Sequence, residues 1–291
     1  MKVEVTDDFL RDGLQDEPVV VSTAHKLEIA AALVDAGLKR MEVASFVNRK
    51  RVPQMADAAD VVPSLPAVPG VTYTSLALNG RGIQRAVDSG ATDIQVVTSA
   101  SQAHSKANAG QAIEDALASL GAAVAEYPEA RFFAGISTAF TCPFEGAIDP
   151  AYLLRVVRVF KDMGITDVGL ADTLGTTPTG QVMASLHHVR EAEPDLTYYL
   201  HLHNAHSQAL ATASATTPSR PATGLCSRLM PGQSVSTTSP TTGKTPAPNT
   251  SGPTSSRSLR ACWNGCRWQR RPLGVTLPRR LPEQTSARPA R

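Results

Sequence analysis

The chain has little with which to staple or anchor itself. Four cysteines in 291 residues are too few for the disulfide framework of a small secreted scaffold. Apolar runs are interrupted by charge within about ten residues, so no segment reads as a membrane span. The N-terminal stretch MKVEVTDDFLRDG has neither an apolar core nor a small-residue cleavage site. No secretory signal is expected there, and the expected location is the cytoplasm. A further absence divides the chain in two. Residues 214–291 contain no Ile, Phe or Tyr and a single acid, Glu283. They hold 11 Ser, 12 Thr, 11 Pro and 11 Arg, and a net charge of +11. Residues 1–213 carry 16 Lys and Arg against 25 Asp and Glu, a net of −9. That split excludes one conventional domain over the whole length, and the expected division is a folded body at 1–213 and a basic, disordered tail at 214–291.

The body alternates short β-rich runs with longer helical patterns. Strands are expected at Lys2–Thr6, Arg40–Ala44, Val71–Ala77, Asp93–Thr98, Phe132–Ser137, Asp167–Ala171 and Thr197–His203. Unbroken apolar runs such as IQVV and TYYLHL suit parallel strands covered on both faces. Thr23 is placed to cap a helix running AHKLEIAAALVDAG, with Leu27, Ala30, Ala31 and Val34 as its buried stripe and Gly37 as its stop. Asp149-Pro150 opens AYLLRVVRVFKDMG, closed by Gly164, and Pro178 opens the helix after the sixth strand. Seven β–α units fit a doubly wound sheet or a (β/α)8 TIM-type barrel. No Gly-rich dinucleotide fingerprint follows the first strand, and the regular repetition favours the barrel. An eighth strand is not legible after Ala213, so the barrel is expected to lack it.

Barrel enzymes carry their chemistry where strands end and loops begin. At those places stand Arg11 and Asp12 after the first strand, Glu42 on the second, Asp172 after the sixth, and His201 and His203 at the seventh. Residues i and i+2 of a strand point to one side, so His201 and His203 offer two adjacent imidazoles and Leu202 faces the helices. Asp12 adds a carboxylate across the barrel. This mixed nitrogen and oxygen set suits Mg²⁺ or Mn²⁺ and tolerates Zn²⁺ or Co²⁺. The plainer alternative is a polar pair at a strand end. Arg11 has two readings as well: a surface ion pair with Asp12, or a fixed cation that polarises a carbonyl and stabilises an enolate. Cys142 reads as a small packed residue at the turn before Pro143, and His25, His104, His187, His188 and His206 as ordinary polar positions. Cys262 and Cys266 have no second Cys/His pair after them to complete a zinc site. The Arg-rich tail lacks interleaved aromatics apart from Trp263 and Trp268, and neither a nucleic-acid nor a membrane partner is expected.

These residues carry a resemblance to the 3-hydroxy-3-methylglutaryl-CoA lyases, over about residues 2–213. RDGLQDE, MEVASFVNRKRVPQMADAADV, GISTAFTCPFEGAIDP, GLADTLGTTPTG and HLHNAHSQALATA come in the family's order and spacing. The resemblance implies a metal-dependent barrel that cleaves a β-hydroxy acyl-CoA to acetyl-CoA and acetoacetate. It implies Asp12, His201 and His203 as ligands of Mg²⁺ or Mn²⁺, Arg11 as the enolate-stabilising arginine, and Glu42 and Asp172 as active-site acids. The implied partner is an acyl-CoA substrate, and a homodimer is compatible with it. A related metal-dependent aldolase or acyl-CoA condensing enzyme is the alternative within the class, and a non-catalytic, disrupted barrel the alternative outside it. Lyases of this family continue with an eighth strand and a glycine-rich loop of the form GGLGGCP. Its cysteine is a general acid–base, and a nearby asparagine is a fourth ligand. No such segment follows Ala213. The Ser/Thr/Pro/Arg-rich stretch reads as GC-rich coding sequence translated out of frame, with a true disordered tail as the alternative. A poor or inactive lyase is therefore expected from the chain as written.

Overall fold

The computed structural model describes residues 4–216, and the backbone alone of 223–227. Eight parallel strands follow one another around a barrel. They are β1 (Glu4–Thr6), β2 (Arg40–Ser45), β3 (Thr72–Ala77), β4 (Asp93–Ser99), β5 (Arg131–Ser137), β6 (Asp167–Asp172), β7 (Thr197–Leu202) and β8 (Thr223–Ser227). Each pairs with its chain neighbour from β2 through β8, and β8 pairs with β1. A parallel bridge between Asp7 and Met41 joins β1 to β2 and closes the ring. The helices α1 (Thr23–Asp35), α2 (Ala58–Ser64), α3 (Gly80–Asp88), α4 (Gln102–Ala109), α5 (Ile113–Ala125), α6 (Pro150–Asp162), α7 (Thr179–Ala192) and α8 (Ala209–Thr216) occupy the connections. The seven expected strands recur within a residue or two of their expected ends. The barrel lies within Met1–Thr237. Among the described residues no helix is long and apolar enough to cross a membrane.

The eighth strand is a correction to the sequence expectation, and it lies past the expected boundary at Ala213. Thr223–Ser227 pairs in register with both β1 and β7, Gly224 standing opposite Glu4 and Tyr199. Its sequence, TGLCS, has one large apolar residue and no alternation, so it carries no strand signal among Ser, Thr, Pro and Arg. Its place comes from its neighbours: without it β1 and β7 would each present an unpaired edge. The rest of the expected tail, from residue 228, lies outside the described residues.

Helix α1 starts one residue off the expected cap, since Ser22 Oγ accepts from the His25 amide. Its expected stripe is met in part: Ala30 is buried and Val34 packs against the core, Ala31 is exposed, and Lys26, Ile29 and Leu33 join the buried side. Helix α6 begins as expected, with Asp149 Oδ1 accepting from the Ala151 amide and Pro150 at the first position.

The barrel interior is filled beneath the C-terminal mouth. Val97, Gly135, Gly169 and Tyr199 stand opposite one another on β4 to β7 and form one layer. The Tyr199 hydroxyl donates to Ala134 O (2.8 Å) and accepts from Gln95 Nε2 (3.1 Å), spanning the lumen. A methyl group at Gly169 would overlap the Tyr199 ring, so this layer needs glycine there. His201 lies two residues beyond Tyr199 on the same strand face, directly above this floor.

Candidate metal centre

The first part of the site is made by an unusual turn. After β1 the backbone forms a π-helical turn, Phe9–Gly13, with the Gly13 amide reaching back five residues to Asp8 O (3.1 Å). Asp7 Oδ1 accepts from the Phe9 amide (3.1 Å) and Asp8 Oδ1 from the Asp12 amide (3.4 Å), which caps the turn from both acids. Such wide turns recur at functional sites because they redirect side chains that an α-helix would stack along its axis. Here Leu10, Arg11, Asp12 and Gly13 are all buried.

Arg11 is the hub of a buried charge cluster. Its Nη1 donates to Asp12 Oδ1 (2.8 Å), and its Nη2 to both Asp8 Oδ2 (3.0 Å) and Glu42 Oε2 (2.6 Å). Three carboxylates thus surround one guanidinium, and the cluster carries excess negative charge. Burial pushes the Glu42 carboxyl up to about 8, opposed by Arg11 and reinforced by Asp8. Burial also raises Asp8 to about 6, with Arg11 pulling down and Asp12 pushing up. Arg11 stays charged, because the attraction of Asp8, Glu42 and Asp12 outweighs its loss of hydration. Glu42 Oε1 and Arg11 Nε are buried without a hydrogen-bond partner.

The imidazoles complete the centre from β7. His201 Nδ1 stands 3.1 Å from Asp8 Oδ2. The Nε2 atoms of His201 and His203 are 2.8 Å apart, and Asp12 Oδ2 lies 3.9 Å from the first and 3.6 Å from the second. Among the described residues, Asp12, His201 and His203 form a group whose ligand atoms all lie within 4.8 Å of one another. Donor atoms each about 2.1 Å from one cation stand roughly 3 Å apart, so this spacing fits a single ion. The donor set, two imidazole nitrogens and a carboxylate oxygen beside surplus negative charge, fits a divalent cation chemically.

Asp172 stands apart from this group. Its Oδ1 accepts from the Thr177 hydroxyl (2.8 Å) and its Oδ2 from the Thr177 amide (3.2 Å). Its register partner is Leu202, whereas Ala171 is the partner of His201. The side chain of Asp172 therefore lies on the helix side of the sheet and ties down the loop after β6. That loop packs onto the strand end holding His203. The His203 amide donates to Asp172 O (3.4 Å), and Gly175 has φ +65 with His203 O so close that a Cβ would meet it at 2.6 Å. Cys142 is 2% exposed and donates to Ser101 Oγ (2.9 Å), a packed residue as expected. His25, His187, His188 and His206 are exposed. Asp8, which joins Arg11 to His201, is absent from the expected set. The only sequence signal for it is an acid three residues before Arg11.

The fold and this cluster define a class: a parallel (β/α)8 barrel with an imidazole–carboxylate centre at its C-terminal mouth. The HMGL-like family model matches residues 2–218, and the chain belongs to that family. It is 36% identical over 214 residues to the mitochondrial hydroxymethylglutaryl-CoA lyase of Macaca fascicularis, covering 72% of this chain and 65% of that protein. The crystal structure of hydroxymethylglutaryl-CoA lyase from Pseudomonas aeruginosa superposes with a TM-score of 0.73 at 34% identity, over 78% of this chain and 76% of that one. An HMG-CoA lyase from Acinetobacter baumannii, in complex with coenzyme A and 3-methylmalate, gives 0.73 at 30% identity over 77% of this chain and 74% of that one. The chain thus spans just under two thirds of the length of the curated lyase, 65%.

Proposed function

We propose that this barrel cleaves 3-hydroxy-3-methylglutaryl-CoA to acetyl-CoA and acetoacetate, with Mg²⁺ or Mn²⁺ held by Asp12, His201 and His203. The observation that carries the reading is the close set of His201, His203 and Asp12 beside the buried Arg11. Family membership supplies the reaction class. When bound, the cation supplies a Lewis acid that gathers the substrate's hydroxyl and carboxyl oxygens and acidifies the hydroxyl. Arg11 is the fixed positive charge for the thioester enolate, which receives the electron pair of the broken carbon–carbon bond when a base takes the hydroxyl proton and the hydroxyl carbon becomes a ketone. Its guanidinium is anchored from below by Glu42 Oε2 and from the side by Asp8, so it needs no reorganisation during reaction. Asp172 acts through the loop that supports His203, as a positioning residue. The thioester substrate follows from the relatives, one of which is described with coenzyme A bound.

The sequence holds no GGLGGCP loop, and so lacks the family's cysteine acid–base. The test is acetoacetate release from 3-hydroxy-3-methylglutaryl-CoA with Mn²⁺ and a thiol reductant. It compares the chain as written with one whose reading frame is restored after Ala213. A missing general acid–base costs about 10²–10⁴-fold, and the restored chain should be faster by that factor. No release by either chain would reject the lyase reading.

A further inference from the structure

Asp8 has a place that neither the resemblance nor the comparisons assign. Its side chain is fully shielded from solvent, and one atom, Oδ2, faces both Arg11 Nη2 at 3.0 Å and His201 Nδ1 at 3.1 Å. Its other oxygen caps the turn that presents Arg11 and Asp12. An ionised carboxylate only accepts hydrogen bonds, so the proton of a neutral His201 ring must sit on Nδ1. The lone pair is then left on Nε2, the atom facing His203 Nε2 and Asp12 Oδ2. We propose that Asp8 is a positioning residue that locks His201 in its Nδ1-protonated form and aims Nε2 at the cation position, while holding Arg11 on the same oxygen. The cation part of this inference rests on the ligand set proposed above, and the tautomer part does not. The physical gain is twofold. A ring with its tautomer and orientation fixed beforehand loses less freedom on binding an ion, and the partnered imidazole is a stronger base. The same oxygen fixes the spacing between the ion and the guanidinium. Both charges that act on the substrate are thereby referenced to one buried atom.

The experiment uses the full chain. Ring ¹⁵N shifts of His201, recorded at pH 8 with a metal chelator present, read the tautomer without any cation. Wild type should be Nδ1-protonated and Asp8→Asn a mixture of tautomers. Calorimetric titration with Mn²⁺ alone should then show affinity falling about 10–100-fold in Asp8→Asn, as when a hydrogen-bond partner of a ligating imidazole is removed. Asp8→Glu, which keeps the charge, should recover part of that loss. In a His201→Ala background, Asp8→Asn should change the affinity less than twofold, because its effect passes through a ring no longer there. Thermal unfolding of each variant separates this from simple misfolding. An unchanged tautomer in a folded Asp8→Asn, or an equal loss of affinity with and without His201, would overturn the proposal. If wild type binds no Mn²⁺ while the tautomer is locked by Asp8 and freed in Asp8→Asn, the cation reading fails and the positioning role stands.

Discussion

Two clusters of charge among the described residues, each around a buried cation, are built on opposite arithmetic. On the outer layer, Lys26 Nζ donates to Asp57 Oδ1 (2.5 Å) and Gln54 O (2.6 Å), and Asp57 Oδ2 accepts from Thr23 (2.8 Å). One cation meets one anion, and both carboxylate oxygens have donors. At the mouth, Arg11 faces Asp8, Asp12 and Glu42, with His201 beside Asp8 and both imidazoles beside Asp12, and Glu42 Oε1 and Arg11 Nε have no hydrogen-bond partner. A buried charge is tolerated when it is paired and hydrogen-bonded, so the first cluster is finished as it stands. The second is complete only with more positive charge. Balance marks a strut between α1 and the turn before α2, and imbalance is what the proposed cation would relieve.

The largest effect that would sharpen this contrast is at Arg11. Arg11→Gln should lower acetoacetate release about 10²–10³-fold, the usual cost of one donor to a developing oxyanion. It should also tighten Mn²⁺ binding, since Asp8 and Asp12 then lose the positive charge beside them. Saturating Mn²⁺ should restore much of its lost thermal stability. Asp57→Ala should behave in the opposite way. Stranding the Lys26 ammonium, whose side chain is 2% exposed, should cost about 3 kcal/mol, or roughly 10 °C in Tm. Mn²⁺ should not repair that loss, and Mn²⁺ affinity should be unchanged. If Mn²⁺ rescued both variants equally, the two clusters would not differ in kind.

The sequence shows one of these clusters far better than the other. Arg11, Asp12, Glu42, His201 and His203 fall at strand ends, where barrel geometry alone makes them legible, and the alternation of β7 correctly puts both imidazoles on one side. Lys26 is illegible because the stripe of α1 is read from apolar residues alone. The stripe, Lys26, Ile29, Ala30, Leu33 and Val34, contains the buried charge, and its partner Asp57 is 31 residues away. Asp8 is missed for a related reason. Asp7-Asp8 before Phe9 gives no periodic signal, and the pairing of Asp8 with His201 joins residues 193 positions apart. Asp172 is legible by the same strand-end rule, although it lies outside the close ligand group. Its register with Leu202 puts it on the helix side. Strand β8 is invisible because its five residues are held by the edges of β1 and β7 rather than by a pattern of their own.

The smallest expected effect tests whether the imbalance at the mouth is felt without any ion. Glu42 has its pKa pushed from the ordinary 4.5 to about 8 by burial. Between those values the folded protein holds a proton on Glu42 that the unfolded chain has released. Stability must therefore fall as pH rises through that window, by up to about 1.4 kcal/mol per pH unit, and level off above pH 8. Asp8, raised to about 6, contributes the same sign but is largely titrated by pH 6.5. Glu42 therefore contributes most at the upper end of the interval from pH 6.5 to 8. Glu42→Gln keeps the shape and cannot ionise. Relative to wild type, its Tm should rise steadily from pH 6.5 to pH 8 in chelator-treated protein, and the gain should shrink when Mn²⁺ is added. Parallel curves for Glu42→Gln and wild type would mean that Glu42 does not change its protonation over this interval, and that its burial beside Asp8 is not felt in the metal-free protein.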